Sequence, residues 1–344
     1  MTRSLLMALG VVALSHTVMA SEAPPTGGAS RVITGTRPGS AKGERLLVFG
    51  TDEQAANAAF AAAFAEIDRI ERLVSEWVPE SDITRLNAAA GRAAVPVAPE
   101  TFALLQRGKE VSRLSHGAFA VTWAALSSAW DFSPTGGPRK APEVPRVLEQ
   151  QKLVDDEGLV LDEANKTARL ARVGMAVGLG GIASGYALDR ALAVLAEHGF
   201  DNALAFSGGD IAVHGQKGTE PWRVGLQDPR GEGYFAMLPL RDQAIGTSGD
   251  YERFFEVDGV RYHHILDPRT GFPARGCRAV SVVARDGVTA DALATAVFVL
   301  GPEAGMALVE SQADIEAVIV DESNQVLVSS GLRQALLTVH PPTP

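Results

Sequence analysis

Apolar side chains recur at three- and four-residue spacing in four long segments of the chain, a pattern that predicts amphipathic helices. Pro79 ends the first of these segments, and Gly199 follows the third, where it suits a left-handed helix cap. A further short helix, capped by Ser81, is predicted to reach Asn87. The four long predicted helices are 52–77, 99–114, 182–198 and 288–300.

Short apolar runs between turn-forming residues predict strands in the second half of the chain. Hairpin-sized turns separate several of them, and helices interrupt the series. This order favours an α+β architecture, with a mixed or antiparallel sheet and flanking helices, over a doubly wound parallel one. We find no internal repeat and expect one compact domain over residues 31–340. The predicted strands are 203–206, 211–214, 222–226, 236–240, 253–257, 280–284 and 315–320.

The first twenty residues have the pattern of an export signal. Arg3 gives a positive start, residues 5–14 are almost wholly apolar, and Ala20 ends a small-residue cleavage site. A membrane anchor is the alternative, but the apolar run is far shorter than the ~20 residues that span a bilayer. We therefore predict a signal peptide at 1–20, a flexible tether at 21–30, a periplasmic or otherwise exported location, and no membrane span in the mature chain.

Composition narrows the classes of partner. The 344 residues carry a net charge of -10 and a pI near 5.3, which disfavours nonspecific nucleic-acid binding because a phosphate backbone requires a basic surface. The single cysteine, Cys277, permits no intrachain disulfide. A small anionic ligand can still bind at a local site.

The predicted helix 288–300 is apolar nearly all round, yet Asp291 and Thr295 lie one turn apart on one of its faces. An ionised carboxylate in such a helix must be paired, hydrogen-bonded or bound to a metal, because burying it alone is unfavourable. A carboxylate with a hydroxyl is hard oxygen ligation of the kind that Mg²⁺ prefers. The pattern alone leaves open the alternative that Asp291 merely caps the helix.

Three other groups of residues could take part in catalysis or ligand binding. His263, His264 and Asp267 precede a proline-initiated turn, where they can act as acid or base or remain structural. Glycine-rich turns at 178–185 and 207–210 let a ligand approach the backbone, although such turns also occur for geometric reasons. Trp77 can stack on a planar ring or pack in the core.

Taken in order, these segments resemble the ApbE family of FAD:protein FMN transferases. The family pattern comprises a Met-Gly-Thr-like strand, Ser-x-Tyr, Ser-x-Ile-x-x-Leu-Asn, Gly-x-Phe-Asp, Gly-Gly-Ile-Ala-Lys-Gly, Gly-Gly-Asp, His-x-x-Asp-Pro-x-Thr-Gly and Asp-x-x-x-Thr. The resemblance covers roughly residues 31–335, and its specificity lies in the ordered set. The segments that carry it are 34–36, 75–77, 81–87, 117–120, 180–185, 208–210, 248–251, 264–271 and 291–295.

The resemblance implies a T-fold-related, ApbE-like domain and a Mg²⁺-dependent enzyme. FAD would be the substrate, and FMN would pass to a threonine of an acceptor protein with release of AMP. Acceptors of the family carry a Ser/Thr-Gly-Ala-Thr-like site, which this chain lacks, so self-modification is not expected. Two alternatives stay open: Mg²⁺-dependent hydrolysis of FAD to FMN and AMP, and flavin binding without catalysis.

The resemblance also implies roles for individual residues. The metal ligands would be Asp291, Thr295 and the backbone carbonyl of Gly181. We hypothesise that His264 and Asp267 handle the proton of the acceptor hydroxyl. The positions that match nucleotide contacts of the family are Thr34, Trp77, Ala118, Phe119, Ala120, Gly178, Ser184, His264 and Ile265.

Five of these positions depart from the family pattern. Thr34 stands for Met, Trp77 for Tyr, Ala120 and Gly178 for Asp, and Ser184 for Lys. The metal pair is intact, whereas the nucleotide pocket is altered. The departures therefore bear on FAD affinity and on the exact substrate more than on the fold.

Overall fold

A computed structural model describes residues 30–40, 42–132 and 140–344. The predicted signal peptide and residues 21–29 of the predicted tether lie outside the described residues. Within the described ranges the α-helices are α1 (Glu53–Val74), α2 (Asp82–Ala88), α3 (Pro99–Leu114), α4 (Val144–Gln151), α5 (Ala183–Glu197), α6 (Gly287–Leu300) and α7 (Pro302–Glu310).

The strands form one large sheet and three small ones. The strands of the described residues are β1 (Arg31–Thr36), β2 (Arg45–Gly50), β3 (Val95–Pro96), β4 (Leu159–Asp162), β5 (Thr167–Leu170), β6 (Ala203–Ser207), β7 (Asp210–His214), β8 (Trp222–Gln227), β9 (Tyr234–Leu240), β10 (Gln243–Gly249), β11 (Phe254–Val257), β12 (Val260–His263), β13 (Cys277–Ala284), β14 (Glu316–Asp321), β15 (Val326–Val328) and β16 (Leu337–Thr338).

The large sheet has eight strands in the order β1-β2-β6-β7-β10-β13-β14-β15. Each neighbouring pair in this sheet is antiparallel. The small sheets are β16-β9-β8, β3-β5-β4 and the hairpin β11-β12. The predicted α+β architecture is therefore confirmed, with antiparallel pairing throughout the large sheet.

Both faces of the large sheet are covered. On one face, α1 and α5 pack over the β2 and β6 region through residues such as Leu46, Phe60 and Ala205. Strands β8 and β9 cover the alternate side chains on the opposite face, where Leu204 of β6 and Val224 of β8 belong to one core. Because side chains alternate along a strand, these two cores lie on opposite sides of the same strands.

Helix α6 is enclosed between the sheet and other helices. It packs against β10 and β13 and contacts α5 and α7. A Cβ atom built on Gly246 of β10 would lie 2.6 Å from the backbone of Ala290, so glycine allows helix and strand backbones to approach directly. This position explains why the sequence of α6 is apolar nearly all round.

The predicted helix boundaries hold with one informative difference. Helix α3 has the predicted bounds, but α1 ends at Val74 instead of continuing to Trp77. Ser75 takes an extended conformation, its hydroxyl accepts from Trp77 N at 3.2 Å, and its carbonyl accepts from the Ser81 hydroxyl at 2.7 Å. These hydrogen bonds stabilise a turn in place of the last helical residues, which leaves Glu76 and Trp77 outside the helix.

Among the helices of the described residues, none is both long enough and apolar enough to cross a bilayer.

Candidate functional site

The first turn of α6 is capped by residues other than Asp291. Asp286 occupies the cap position and accepts from Thr289 N at 2.8 Å. Asp189 of α5 accepts from Gly287 N at 2.8 Å and from Val288 N at 3.3 Å. Asp291 lies one turn further on, so the capping alternative that the pattern left open does not describe its position.

Asp291 is buried, with a relative exposure of 7%. Its Oδ2 atom accepts one hydrogen bond, from Gly185 N at 3.1 Å. Burial raises the pKa of Asp291 well above its ordinary value, and the charge of Asp210 raises it further. The protein alone therefore stabilises the ionised form of Asp291 poorly, which is the electrostatic condition that a bound cation relieves.

Thr295 extends the oxygen cluster by one helical turn. Its hydroxyl lies 3.2 Å from the hydroxyl of Ser248, at the end of β10. A Cβ atom built on Gly181 would lie 3.3 Å from Thr295 Oγ1, which places the backbone of Gly181 directly beside this hydroxyl. Asp291, Thr295 and Gly181, predicted as one ligand set, therefore border the same small region of the fold.

The turn that carries Gly181 is held from two sides. The Asn87 side chain donates to Val177 O at 2.8 Å and accepts from Val177 N at 2.7 Å. The Trp123 indole donates to Gly178 O at 3.0 Å. Phe119 lies behind the turn, 3.3 Å from a Cβ built on Gly181. Asn87, a residue of the family pattern, thus holds the backbone of Val177 in place, immediately before the glycine turn.

The starts of α5 and α6 touch at two glycines. A Cβ atom on Gly185 would lie 1.9 Å from Gly287 O, and a Cβ on Gly287 would lie 2.4 Å from Gly185 O. Only hydrogen atoms fit between these backbones. The contact sets the distance over which Gly185 N donates to Asp291.

Acidic groups surround the cluster. Burial raises the pKa of Asp189 to about 6 and that of Asp210 to about 6. The Ser184 side chain hydrogen-bonds Asp210. Burial also raises the pKa of Glu76, whose Oε1 lies 4.0 Å from a Cβ built on Gly180. The glycine turn therefore faces several carboxyl groups whose ionised forms are poorly solvated.

Lys42 supplies positive charge to this region. Its backbone carbonyl accepts from Gly208 N at 3.0 Å, which anchors the β1–β2 loop to the Gly-Gly-Asp turn. Its ammonium charge acts to lower the pKa of Glu76, Asp210 and Asp291, against the larger effect of burial. The side chain of Lys42 is exposed, so its charge is also accessible to an anionic ligand.

His264 is held as a neutral ring. Loss of solvation, with a smaller contribution from the nearby Arg253 charge, lowers its pKa to about 3. Its Nδ1 atom is buried and has no hydrogen-bond partner among the described residues. A neutral imidazole with a free ring nitrogen can accept a proton.

Asp267 is engaged elsewhere. Its carboxylate accepts from Arg269 Nε at 2.8 Å and from Arg269 Nη2 at 2.9 Å, a two-point ion pair within the turn. Its backbone carbonyl accepts from Gly271 N at 2.7 Å. The structure shows no hydrogen bond between Asp267 and His264, so joint proton transfer by this pair stays a prediction.

The remaining predicted nucleotide contacts differ in exposure. Trp77 is 76% exposed, which is unusual for its size and excludes the alternative of core packing. Thr34 is also exposed, on the edge strand β1. Ala118, Ala120 and Ile265 are buried. Contact of these residues with a nucleotide stays a prediction.

His263, the neighbour of His264, gives a testable pH effect. Its Nε2 lies 2.9 Å from Ala274 O, and burial lowers its pKa from 6.5 to about 4. The unfolded chain binds this proton first as pH falls, so stability present above pH ~6.5 is lost progressively towards pH ~4. We expect the His263→Gln variant to avoid about 2 kcal/mol of this loss at pH 5.

The measurement is the free energy of unfolding by denaturant at pH 7 and pH 5 for both proteins. Buried carboxyls with raised pKa values, such as Asp189, change stability in the opposite direction. They contribute equally to wild type and variant, so the difference between the two curves isolates the histidine. Parallel curves would contradict the assignment.

The donor set fits a hard divalent cation. Asp291 supplies a carboxylate that has one hydrogen-bond donor, Thr295 supplies a hydroxyl, and Gly181 supplies a backbone carbonyl beside it. In the described ranges no group of three or more His, Cys, Asp or Glu side chains could hold a metal. A cation here would therefore depend on hydroxyl, backbone and substrate oxygens in addition to Asp291.

Sequence reasoning did not select several residues of the site. Ser248 and Asp210 belong to segments that match the family pattern, which was the available signal. Glu76 is the variable residue between Ser75 and Trp77. Its place beside the glycine turn depends on α1 ending at Val74, which the sequence did not predict. Lys42 carried no signal, because a lysine in a surface loop is an ordinary feature.

Comparisons with known proteins identify the family of this chain. The ApbE family model matches residues 45–319. The FAD:protein FMN transferase of Treponema pallidum is 37% identical over 294 residues, covering 80% of each chain. One of Klebsiella pneumoniae is 32% identical over 291 residues, covering 84% of this chain and 89% of the relative.

Solved structures show the same fold. The ApbE protein of Thermotoga maritima superposes with a TM-score of 0.81 at 32% identity, covering 89% of this chain and 99% of the other. The flavinyl transferase ApbE of Pseudomonas stutzeri gives a TM-score of 0.78 at 28% identity, with 89% and 97% covered. The family model, which spans most of the chain, and relatives of this identity show that the chain belongs to the ApbE family.

Proposed function

We propose that this protein is a FAD:protein FMN transferase, as its curated relatives are named. The observation that carries the proposal is the convergence of Asp291, Thr295 and Gly181 on one buried region, where burial raises the pKa of the Asp291 carboxyl group. A carboxylate kept in such surroundings is suited to holding a cation against substrate phosphates. FAD is the substrate, and the second substrate is a polypeptide.

Mg²⁺ is the cation that we propose for this site, held by the Asp291 carboxylate, the Thr295 hydroxyl and the Gly181 carbonyl. When bound, the ion would neutralise charge on the FAD phosphates and orient them. Ser248 positions the Thr295 hydroxyl by hydrogen bonding. Lys42 adds a second positive charge near the same region.

His264 takes the proton of the attacking threonine in this proposal. Its low pKa keeps the ring neutral at physiological pH. The threonine oxygen bonds to the phosphorus of the FMN half, the bond from that phosphorus to the bridging oxygen breaks, and its electron pair leaves with AMP. Asp267 holds the turn that follows His264, together with Arg269.

The test is one incubation with FAD, Mg²⁺ and a peptide that contains Ser-Gly-Ala-Thr, analysed by mass spectrometry. We expect a mass gain of one FMN on the peptide threonine and release of AMP. Release of FMN and AMP with or without peptide, and no mass gain, would identify a hydrolase instead. Bound flavin without any product would identify a binding protein.

Trp77 gives a prediction for the flavin end of the site. Its exposed indole offers a face for stacking on a planar ring, worth roughly 1 kcal/mol. We expect Trp77→Ala to raise the KM for FAD about fivefold, with kcat less affected, in steady-state transfer assays. Trp77→Tyr, which restores an aromatic face, should recover most of the affinity. Equal KM values for wild type and Trp77→Ala would contradict stacking.

The export signal predicted at 1–20 fits an acceptor protein outside the cytoplasm. We propose a periplasmic or otherwise exported location on that basis. Fractionation of cells that produce the full chain, with detection of a C-terminal tag, tests this proposal. Retention of the unprocessed chain in the cytoplasm would contradict it.

A further inference from the structure

A cavity of about 490 Å³ lies beside the C-terminal ends of β10 and β12 and the N-terminal end of β13. It is not formed by any of the predicted metal or nucleotide residues. Its most prominent feature is a set of four arginines in a protein with a net charge of -10. The arginines that line it are Arg230, Arg261, Arg275 and Arg278.

Two of the arginines are neutralised within the fold. Arg230 donates to both carboxylate oxygens of Asp250, at 2.7 and 2.6 Å. Arg261 donates to Glu256 Oε1 at 3.0 Å, and its guanidinium lies 4.0 Å from the centre of the Phe254 ring. These pairs build the wall of the cavity and do not leave free positive charge.

The other two arginines bond to neutral oxygens. Arg275 Nη1 donates to Arg261 O at 3.0 Å, and Arg278 Nη1 donates to Asn324 Oδ1 at 2.9 Å. No carboxylate in the described ranges forms an ion pair with either guanidinium. Glu322 also lines the cavity, and it accepts from Gly276 N at 3.3 Å. The cavity therefore retains an excess of one positive charge, with guanidinium groups free to bind carboxylates.

Two lining residues of the cavity lie close in sequence to residues of the proposed active site. Asp250 lies two residues after Ser248, about 7 Å along an extended chain. His263 lines the cavity, and the next residue is His264. The cavity lining and the proposed active site are therefore separated by no more than about 7 Å of backbone at these two places.

We propose that this arginine cavity binds an acidic segment of the acceptor protein, close in sequence to the threonine that is modified. The inference rests on the proposed function, because it concerns the second substrate of that reaction. An acidic enzyme repels an acidic partner over most of its surface. Attraction confined to the cavity then fixes which part of the acceptor approaches and in which orientation.

The test compares three synthetic peptides that share a central Ser-Gly-Ala-Thr and carry aspartate, glutamine or lysine flanks. With the wild-type enzyme we expect the acidic peptide to have a KM at least about tenfold lower than the glutamine peptide, equivalent to ~1.4 kcal/mol. Arg275→Glu should abolish this preference and favour the lysine peptide. The KM for FAD should remain unchanged.

Arg241→Glu is the matched control. It makes the same change of charge on an exposed arginine that lies two residues before the start of β10, at the end of the strand away from the cavity. We expect it to retain the preference for the acidic peptide. Arg275→Ala keeps the proposal testable if charge reversal perturbs the fold, and it should reduce the preference without reversing it.

Direct binding separates this proposal from the proposed function. Fluorescence anisotropy of labelled peptides measures association without any transfer step, so a protein that modifies no peptide still gives a result. Equal binding of acidic and glutamine peptides would overturn the proposal. Inorganic phosphate that binds the wild type but not Arg275→Glu, while the peptides bind equally, would identify a small-anion site and overturn it too.

Discussion

The Asp291→Asn variant is expected to lose FMN transfer by at least ~100-fold. The substitution keeps the size of the side chain and removes the carboxylate that, in our proposal, holds Mg²⁺ against the FAD phosphates. Thr295 and Gly181 are neutral donors and cannot replace the lost charge. The measurement is the rate of mass gain on a Ser-Gly-Ala-Thr peptide at saturating FAD and Mg²⁺.

Asp286→Asn is the control for this variant. It makes the same chemical change in the same helix, at a cap position where asparagine serves as well as aspartate. We expect near-native transfer from it. Mg²⁺ should also raise the unfolding temperature of the wild type and not that of Asp291→Asn. Native activity in Asp291→Asn would remove the metal site from the proposal.

The second large effect is expected from Gly185→Ala. Glycine to alanine inside a helix usually stabilises a protein, because alanine has the better helix propensity. Here the new methyl would lie 1.9 Å from Gly287 O, a backbone atom that cannot move without separating α5 from α6. We expect the free energy of unfolding to fall by about 3 kcal/mol. Denaturant titration of the purified variant measures this change.

Gly180→Ala is the comparison for that measurement. Gly180 lies in the same glycine-rich segment, and the nearest atom to its added Cβ is Glu76 Oε1 at 4.0 Å. We expect its stability to change by less than about 1 kcal/mol. A Gly185→Ala protein as stable as Gly180→Ala would show that the two helices can separate without cost.

Much of the fold was predictable because its elements carry strong periodic signals. Helices α1, α3, α5 and α6 show apolar spacing over three or more turns, and their predicted positions agree with the structure. Strand β10 was missed although it lies in the middle of the large sheet. Its sequence, Gln-Ala-Ile-Gly-Thr-Ser-Gly, replaces large apolar residues with small ones because α6 lies directly against it.

Asp291 could be predicted from the sequence, whereas the positions of Lys42 and Glu76 in the site could not. Asp291 was recognisable because a carboxylate in an apolar helix must be paired, hydrogen-bonded or bound to a metal in any fold. The placement of Lys42 and Glu76 depends on where the β1–β2 loop and the end of α1 lie in space. No local pattern encodes such long-range placement. The engagement of Asp267 with Arg269 was likewise hidden, since the sequence shows both residues but not their ion pair.

The burial of Asp291 has a consequence for how this sequence changes over generations. Without a bound cation its carboxylate destabilises the fold, so an apolar residue at this position would make a more stable apo protein. Random substitution in a chain that had lost its chemistry would be free to make that exchange. Only selection for a working site opposes it. The residue therefore marks a place where natural selection and thermal stability act in opposite directions.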